Sequence, residues 1–233
     1  MRQIFLDTET TGLYANNGDR IIEIGCVELV NRKLTGNNFH RYLNPGRESH
    51  EEALKVHGIT SEFLRDKPSF DAVATDLLAY LKEAEVIIHN ATFDLGFLDV
   101  ELEIAGHAPT HTHVERVIDT LAMAKEMFPG KRNNLDALCD RLGVDRSGRT
   151  LHGALLDAAL LADVYINLTR GQDALVMETG ASDTRSVTVA PVDLSAFDLP
   201  VLSANAQEVS AHQEVMTQID KSSGGKSVWP KAA

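Results

Sequence analysis

The sequence predicts an α/β domain followed by a tail of different character, and three observations carry that expectation. The chain opens as a β-meander, with apolar runs at Ile4-Phe5-Leu6, Arg20 to Val30 and Phe39 to Leu43. Further on, Val86-Ile87-Ile88 is short and wholly apolar, as in a strand buried on both faces, and a segment of helical period follows it. After Arg170-Gly171 the periodicity stops, and Ser, Thr, Asp, Ala and Val dominate, punctuated by Pro191 and Pro200.

Length and composition agree with one full-sized domain plus extra material: 233 residues, 43% hydrophobic and 24% charged. No apolar run is long enough to span a membrane, and Met1-Arg2-Gln3 leads into a strand rather than a cleavable leader, so a cytoplasmic protein is expected. Cys26 and Cys139 are far apart and form no C-x-x-C pair, which predicts buried thiols rather than a disulfide or a zinc site. The formal net charge is −12. This argues against a broad basic face for nucleic acid, and if the chain acts on a polyanion something else should deliver it.

Taken in order, Asn31-Arg32-Lys33 is a polar turn after the strand 20–30. Glu51 to Val56 reads as a helical patch, with a further short helix ending before Pro68. Ser69 to Lys82 has helical period, with Ser69 as N-cap and Phe70, Val73, Leu77, Leu78 and Leu81 facing inward. The helix starting near Thr92 packs through Phe93, Phe97, Leu98 and Leu102 and carries Asp94 in its first turn, where the backbone dipole favours a negative charge. Val117-Ile118-Asp119 is another short strand. Asp119 caps the helix Leu121 to Phe128, closed by Pro129-Gly130, and Asn134 caps Leu135 to Leu142, ended by Gly143. The last helix of the domain, rich in Ala and Leu, runs through Leu168.

Asp7-Thr8-Glu9-Thr10-Thr11-Gly12 ends the first strand on a glycine. Residues two apart in an extended chain share a face, so Asp7 and Glu9 bring two carboxylates to roughly 6–7 Å of each other. At the end of a buried strand such a pair is repulsive unless a cation lies between; taken alone, it reads first as an acidic, solvated turn. Asp94 and Asp157 add two more carboxylates, each in the early turns of a helix that follows a strand or loop. His152 lies five residues before Asp157. Were both helical they would diverge by about 140° at ~3.6 residues per turn, so they converge only if His152 sits in the loop before the helix, which Gly153 permits.

The stretches Phe5 to Gly12, Val56-His57-Gly58-Ile59, His89-Asn90-Ala91-Thr92-Phe93-Asp94 and Arg149 to Ala158 together resemble the DEDD exonucleases of the histidine subtype. Within that family the similarity is greatest to the proofreading subunits of bacterial replicative polymerases, and it covers residues 1–170. The resemblance implies a ribonuclease H-like fold, a mixed sheet flanked by helices, and release of nucleotides one at a time from a 3′ end. It implies two divalent cations, Mg²⁺ or Mn²⁺, held by Asp7, Glu9, Asp94 and Asp157, with His152 as the base. An ordinary imidazole, titrating near pH ~6.5, can serve so around neutrality. The resemblance also sets the terminal nucleotide of a DNA 3′ end against Asp7, Glu9, Thr10, Gly12, Leu13, Glu52, His57, Phe93 and Asp157. Leu13 and Phe93 are equally what a core would use, and His57 what a turn would use. His107, His111 and His113 sit in a polar loop without ligand spacing and are assigned no metal.

Residues 171–208 read as a linker and 209–233 as a partner-binding tail. From residue 171 on there are eight acids and four bases, so −4 of the net charge lies here and −8 in the domain. Gln172 to Met177 resembles a sliding-clamp docking motif without its usual aromatic. Val215, Met216 and Ile219 at helical spacing, then Trp229, resemble the tail that binds the polymerase catalytic (alpha) subunit. Two other readings stay open on sequence alone: a free-standing exonuclease trimming RNA or DNA ends, and a structural subunit bridging polymerase and clamp.

Overall fold

The computed structural model describes residues 1–148, 151–170 and 204–224. Two compact units divide the chain, Met1–Thr179 and Gly180–Ala233. The first is built on a six-stranded sheet in the order β3-β2-β1-β5-β6, with β4 also paired to β2. Its strands are β1 (Arg2–Thr10), β2 (Ile21–Val30), β3 (Lys33–Leu34), β4 (Phe39–Tyr42), β5 (Glu85–Ile88) and β6 (Arg116–Asp119). β1 to β4 form the antiparallel meander, whereas β5 and β6 run parallel to β1. This is the mixed sheet that the sequence predicts; β3, two exposed residues long, has no burial pattern to reveal it.

Alternation along β1 separates two cores. Ile4 and Leu6 face one side and pack with α3 (Phe70–Leu81) and α4 (Ala91–Ile104) through Phe70, Leu77, Phe97 and Leu98. Phe5 faces the other, against α6 (Leu135–Leu142) and α7 (Ala154–Leu168), with its ring 5.5 Å from that of Tyr165 in an edge-on contact. Side chains of period two on a strand thus hold helices of period 3.6 on both faces, the arrangement that leaves the strand ends as the accessible rim. α1 (Glu51–His57) and α2 (Ser61–Leu64) lie in the connection before α3, and α5 (Thr120–Met127) follows β6. Cys26 and Cys139 are both buried.

Helix starts follow local chemistry in most cases. Asp119 accepts from Leu121 and Ala122 N–H, and Asn134 from Ala137 N–H. Ser69 departs from expectation: it occupies the N-cap position of α3 but its side chain makes no cap hydrogen bond. In the second unit, α8 (Ala206–Ser222) starts inside the stretch read as linker, because Asn205 and Glu208 form a reciprocal capping box. No residue of α8 is buried. The motif 172–177, Trp229, and Arg149-Thr150 lie outside the described residues.

Candidate active site

β1 carries Asp7 and Glu9 to the C-terminal end of the parallel strands. Its pairing with β5 stops at Phe5 and Ile87, so β1 continues beyond β5 and its next amide needs another partner. Asp94 supplies it: Oδ1 accepts from Thr8 N–H at 3.1 Å and from Thr8 Oγ1 at 2.7 Å. Asp94 gets there because the chain turns from β5 into α4 within two residues, with Asn90 in the left-handed region at φ 70°. Asparagine is among the few side chains that adopt this conformation readily. Asn90 N–H is tied to Asp119 and His89 Nδ1 lies 2.9 Å from Thr120 Oγ1, so β6 and α5 brace the junction.

On the other side α7 delivers Asp157 in its first turn, and the preceding loop delivers His152. His152 lies outside the helix, the condition its spacing from Asp157 required. Its Nδ1 is 3.3 Å from Asp157 Oδ2. One potential ligand atom from each of Glu9, His152 and Asp157 lies within 4.8 Å of the others. Glu9 and Asp157 are buried while His152 is exposed. Asp7, half-buried two residues before Glu9, and Asp94, 3% exposed, are not members of that group.

The electrostatics of the cluster are those of crowded acids short of solvent. Burial pushes the Asp94 carboxyl up to about 7, against hydrogen bonds from Thr8 that favour its charged form, and the Asp119 charge pushes the same way as burial. Oxygen-rich, desolvated donors of this kind fit a hard divalent cation, which would favour the ionised form of Asp94. The donor set present therefore suits the group that the resemblance implies.

The expected nucleotide contacts fall around this cluster in different ways. Thr10 uses its hydroxyl on Gly12 O at 2.6 Å and so shapes the turn after β1. A Cβ on Gly12 would collide with Asp19 and His50, so only glycine fits the turn. Asp19 holds the loop, accepting from Tyr14 N–H at 3.0 Å; despite burial, this bond and the Arg47 and His50 charges keep its carboxyl below the usual range. The loop leaves Leu13 68% exposed. Leu13 lines a cleft of about 320 Å³ with Gly12, Tyr14, Glu52, Ala53 and Val56. Leu13 is thus no core residue, whereas Phe93 is partly buried and packs on Phe97 at 5.0 Å between ring centres.

His57 ends α1 and holds the turn after it. It is 4% exposed, and its Nδ1 accepts from Ile59 N–H at 2.9 Å, which places its hydrogen on Nε2. Nε2 has no hydrogen-bond partner among the described residues. Burial first, and then the nearby His152, lower the pKa of His57 and keep it neutral.

The exonuclease family model RNase_T matches residues 4–165. The DNA polymerase III subunit epsilon of Pasteurella multocida is 50% identical over 238 residues, covering 99% of this chain and 94% of the relative. That of Escherichia coli K12 is 48% identical over 236 residues, covering 98% and 97%. Among solved structures, exonuclease X in complex with 5′ overhanging duplex DNA superposes with a TM-score of 0.58 at 24% identity, covering 73% of this chain and 93% of the other. A zinc-bound Escherichia coli exonuclease I complex with single-stranded DNA gives a TM-score of 0.65 at 18% identity, covering 75% and 41%, a likeness of fold.

Proposed function

The chain belongs to the RNase_T exonuclease family, and on that premise we propose that Asp7, Glu9, Asp94 and Asp157 hold two divalent cations, Mg²⁺ or Mn²⁺, while His152 takes the proton of the attacking water. The chain is a proofreading 3′→5′ exonuclease of the DNA polymerase III epsilon type, acting within a polymerase complex on DNA. Its family depends on divalent metal. A free-standing trimming enzyme is disfavoured because the match to epsilon subunits extends over 99% of the chain, tail included.

The observation that carries the catalytic reading is the convergence of Glu9, His152 and Asp157 within 4.8 Å. When bound, the cations polarise the scissile phosphate and lower the pKa of water. The protein's own residues do the rest. A hydrogen on His152 Nδ1 is directed to Asp157, which leaves Nε2 as the basic nitrogen facing the water. His57 offers its Nε2 hydrogen to an oxygen of the terminal nucleotide; being neutral, it donates without adding charge. Leu13 and Phe93 supply apolar surface to the base and sugar, Gly12 admits close backbone approach, and Thr10 and Glu52 border the same nucleotide.

The domain 1–170 is tied by linker 171–208 to tail 209–233, and α8 presents Val209, Val215 and Ile219 exposed. We assign this apolar set, with Trp229, to the polymerase alpha subunit, and Gln172 to Met177 to the sliding clamp. A tether of this kind raises the local concentration of enzyme at the primer end to about the millimolar range, which offsets the poor attraction of an acidic domain for DNA. A cytoplasmic location follows from that partner. Among the described residues no helix is long and apolar enough to cross a membrane.

The test is digestion of a 5′-labelled oligonucleotide, as DNA and as RNA, by the full chain and by a chain ending at residue 204. DNA should shorten from its 3′ end, chelator should stop the reaction, and the shortened chain should digest free single strands equally while losing co-purification with the alpha subunit. Retained binding by the shortened chain would put the anchor elsewhere.

Asp94 gives the site a pH signature. Its folded-state pKa, about 7, lies above the ordinary carboxylate value of 3.8. Its contribution to the metal-free fold is therefore fully present below pH 3.8 and is lost as pH rises through about 7. Adding Mg²⁺ or Mn²⁺ should raise the melting temperature more at pH ~8, where the buried carboxylate must be charged, than at pH ~6. Thermal scans showing the reverse order would count against Asp94 as a ligand.

A further inference from the structure

α7 begins on Gly153, which has no side chain to accept from the first turn. The acceptor comes from the sheet: Glu23 Oε2 on β2 takes the Ala154 N–H at 3.2 Å, a bond spanning 131 residues of sequence. Glu23 is 2% exposed, and its other oxygen, Oε1, lies 2.7 Å from His40 Nε2 on β4. Two positions on, Gly25 lets the helix touch the strand, because a Cβ there would collide with Ala154 C and Leu155 N. In the β1–β2 register Glu23 is the partner of Glu9 and Gly25 the partner of Asp7. One strand thus sets the level of the carboxylates on β1 and, through Glu23, of the helix that brings Asp157.

We propose that Glu23, held in place by His40, is a positioning residue for the exonuclease site: its carboxylate fixes the N-terminus of α7 on β2 and so sets Asp157 and His152 relative to Glu9. The inference rests on the reading of Glu9 and Asp157 as cation ligands. Charge adds to geometry here, since a carboxylate at a helix N-terminus meets the unsatisfied N–H groups of the first turn. A side chain that orients a ligand-bearing element typically matters about 10- to 100-fold in metal affinity. Loss of a carboxylate that only stabilised the fold would lower the melting temperature and leave the site of the folded protein unchanged.

The experiment uses the full chain, with Mn²⁺ as probe followed by the electron paramagnetic resonance of the free ion, and amide exchange measured without metal. Glu23→Ala should weaken Mn²⁺ binding about tenfold or more, lower kcat with little change in KM for the strand, and speed exchange at Ala154 to Asp157. Glu23→Gln can still accept from Ala154 N–H and donate to His40, and should restore binding and exchange to within a few fold of wild type. A melting temperature that falls while Mn²⁺ affinity and exchange stay at wild-type values would overturn the proposal. Failure of the wild type to bind Mn²⁺ would remove the cation reading instead, and exchange at Ala154 would still decide whether Glu23 holds the helix. If Glu23→Ala does not fold, Glu23→Asp, which draws the carboxylate back from Ala154 N–H by one methylene, carries the same measurements: about threefold weaker Mn²⁺ binding and faster exchange at Ala154 are expected, and wild-type binding and exchange refute the proposal.

Discussion

Asp157→Asn should lower single-turnover hydrolysis of a DNA strand by about 10³-fold or more, equivalent to roughly 4 kcal/mol of transition-state stabilisation. Asp157 contributes a buried carboxylate oxygen to the cluster with Glu9 and His152, and its Oδ2 lies 3.3 Å from His152 Nδ1. The amide oxygen of asparagine can still accept a hydrogen bond but brings no charge to a cation or to a protonated ring. Asparagine keeps the shape and removes the charge, so the packing of α7 on the sheet is spared. Removing one of several crowded buried acids also relieves repulsion in the metal-free protein. The melting temperature without metal should therefore stay the same or rise while activity collapses, and Mn²⁺ affinity should fall. Melting and activity that fell together would mean that Asp157 serves the fold; wild-type turnover by Asp157→Asn would end the carboxylate-cage reading.

Most of the fold is legible in local signals along the chain. Ile4-Phe5-Leu6 divides its side chains between two cores because a strand alternates, and the period of Phe70, Val73, Leu77 and Leu81 defines one face of a helix. Asp119 and Asn134 cap as expected, since an N-cap needs only a short acceptor next to the first turn. Ser69 shows the limit of such locality: a hydroxyl at the N-cap position makes the bond only if its rotamer turns that way, and here it does not. The start of α8 escapes a reading by composition, because polar Asn205 and Glu208 resemble linker residues and act instead as a capping pair.

The candidate site divides along a different line. Its acids are visible as strand-end and helix-start residues, and His152 has to leave the helix to approach Asp157. What stays hidden is what holds them. The Thr8–Asp94 bonds join positions 86 residues apart and the Ala154–Glu23 bond positions 131 apart, with no periodic signature. A faint signal does exist: Glu23, Gly25 and Glu28 interrupt an otherwise apolar strand, a buried charge needs a partner, and a glycine inside a strand often marks a close approach. Likewise His57 resembles a turn residue in sequence, and only its burial, with Nε2 lacking a partner among the described residues, sets it apart.

His152→Ala should lower turnover by about 10²- to 10⁴-fold, the range a positioned base contributes, and flatten the rise of rate with pH. The imidazole is the exposed member of the cluster, with 44% of its side chain accessible, so it can reach solvent water while the carboxylates beside it cannot. Its loop is anchored to α1, where the His152 N–H donates to Val56 O at 3.1 Å. The backbone stays in place when the ring is removed, so alanine tests the base and not the loop. Protonation of His152 would silence the basic nitrogen, which gives the sign: wild-type kcat should rise with pH, and the variant's rate should vary much less. Mn²⁺ affinity should change less in His152→Ala than in Asp157→Asn, because the imidazole is assigned the proton and the carboxylate the cation. A variant that kept both the wild-type rate and the wild-type profile would show that another group takes the proton.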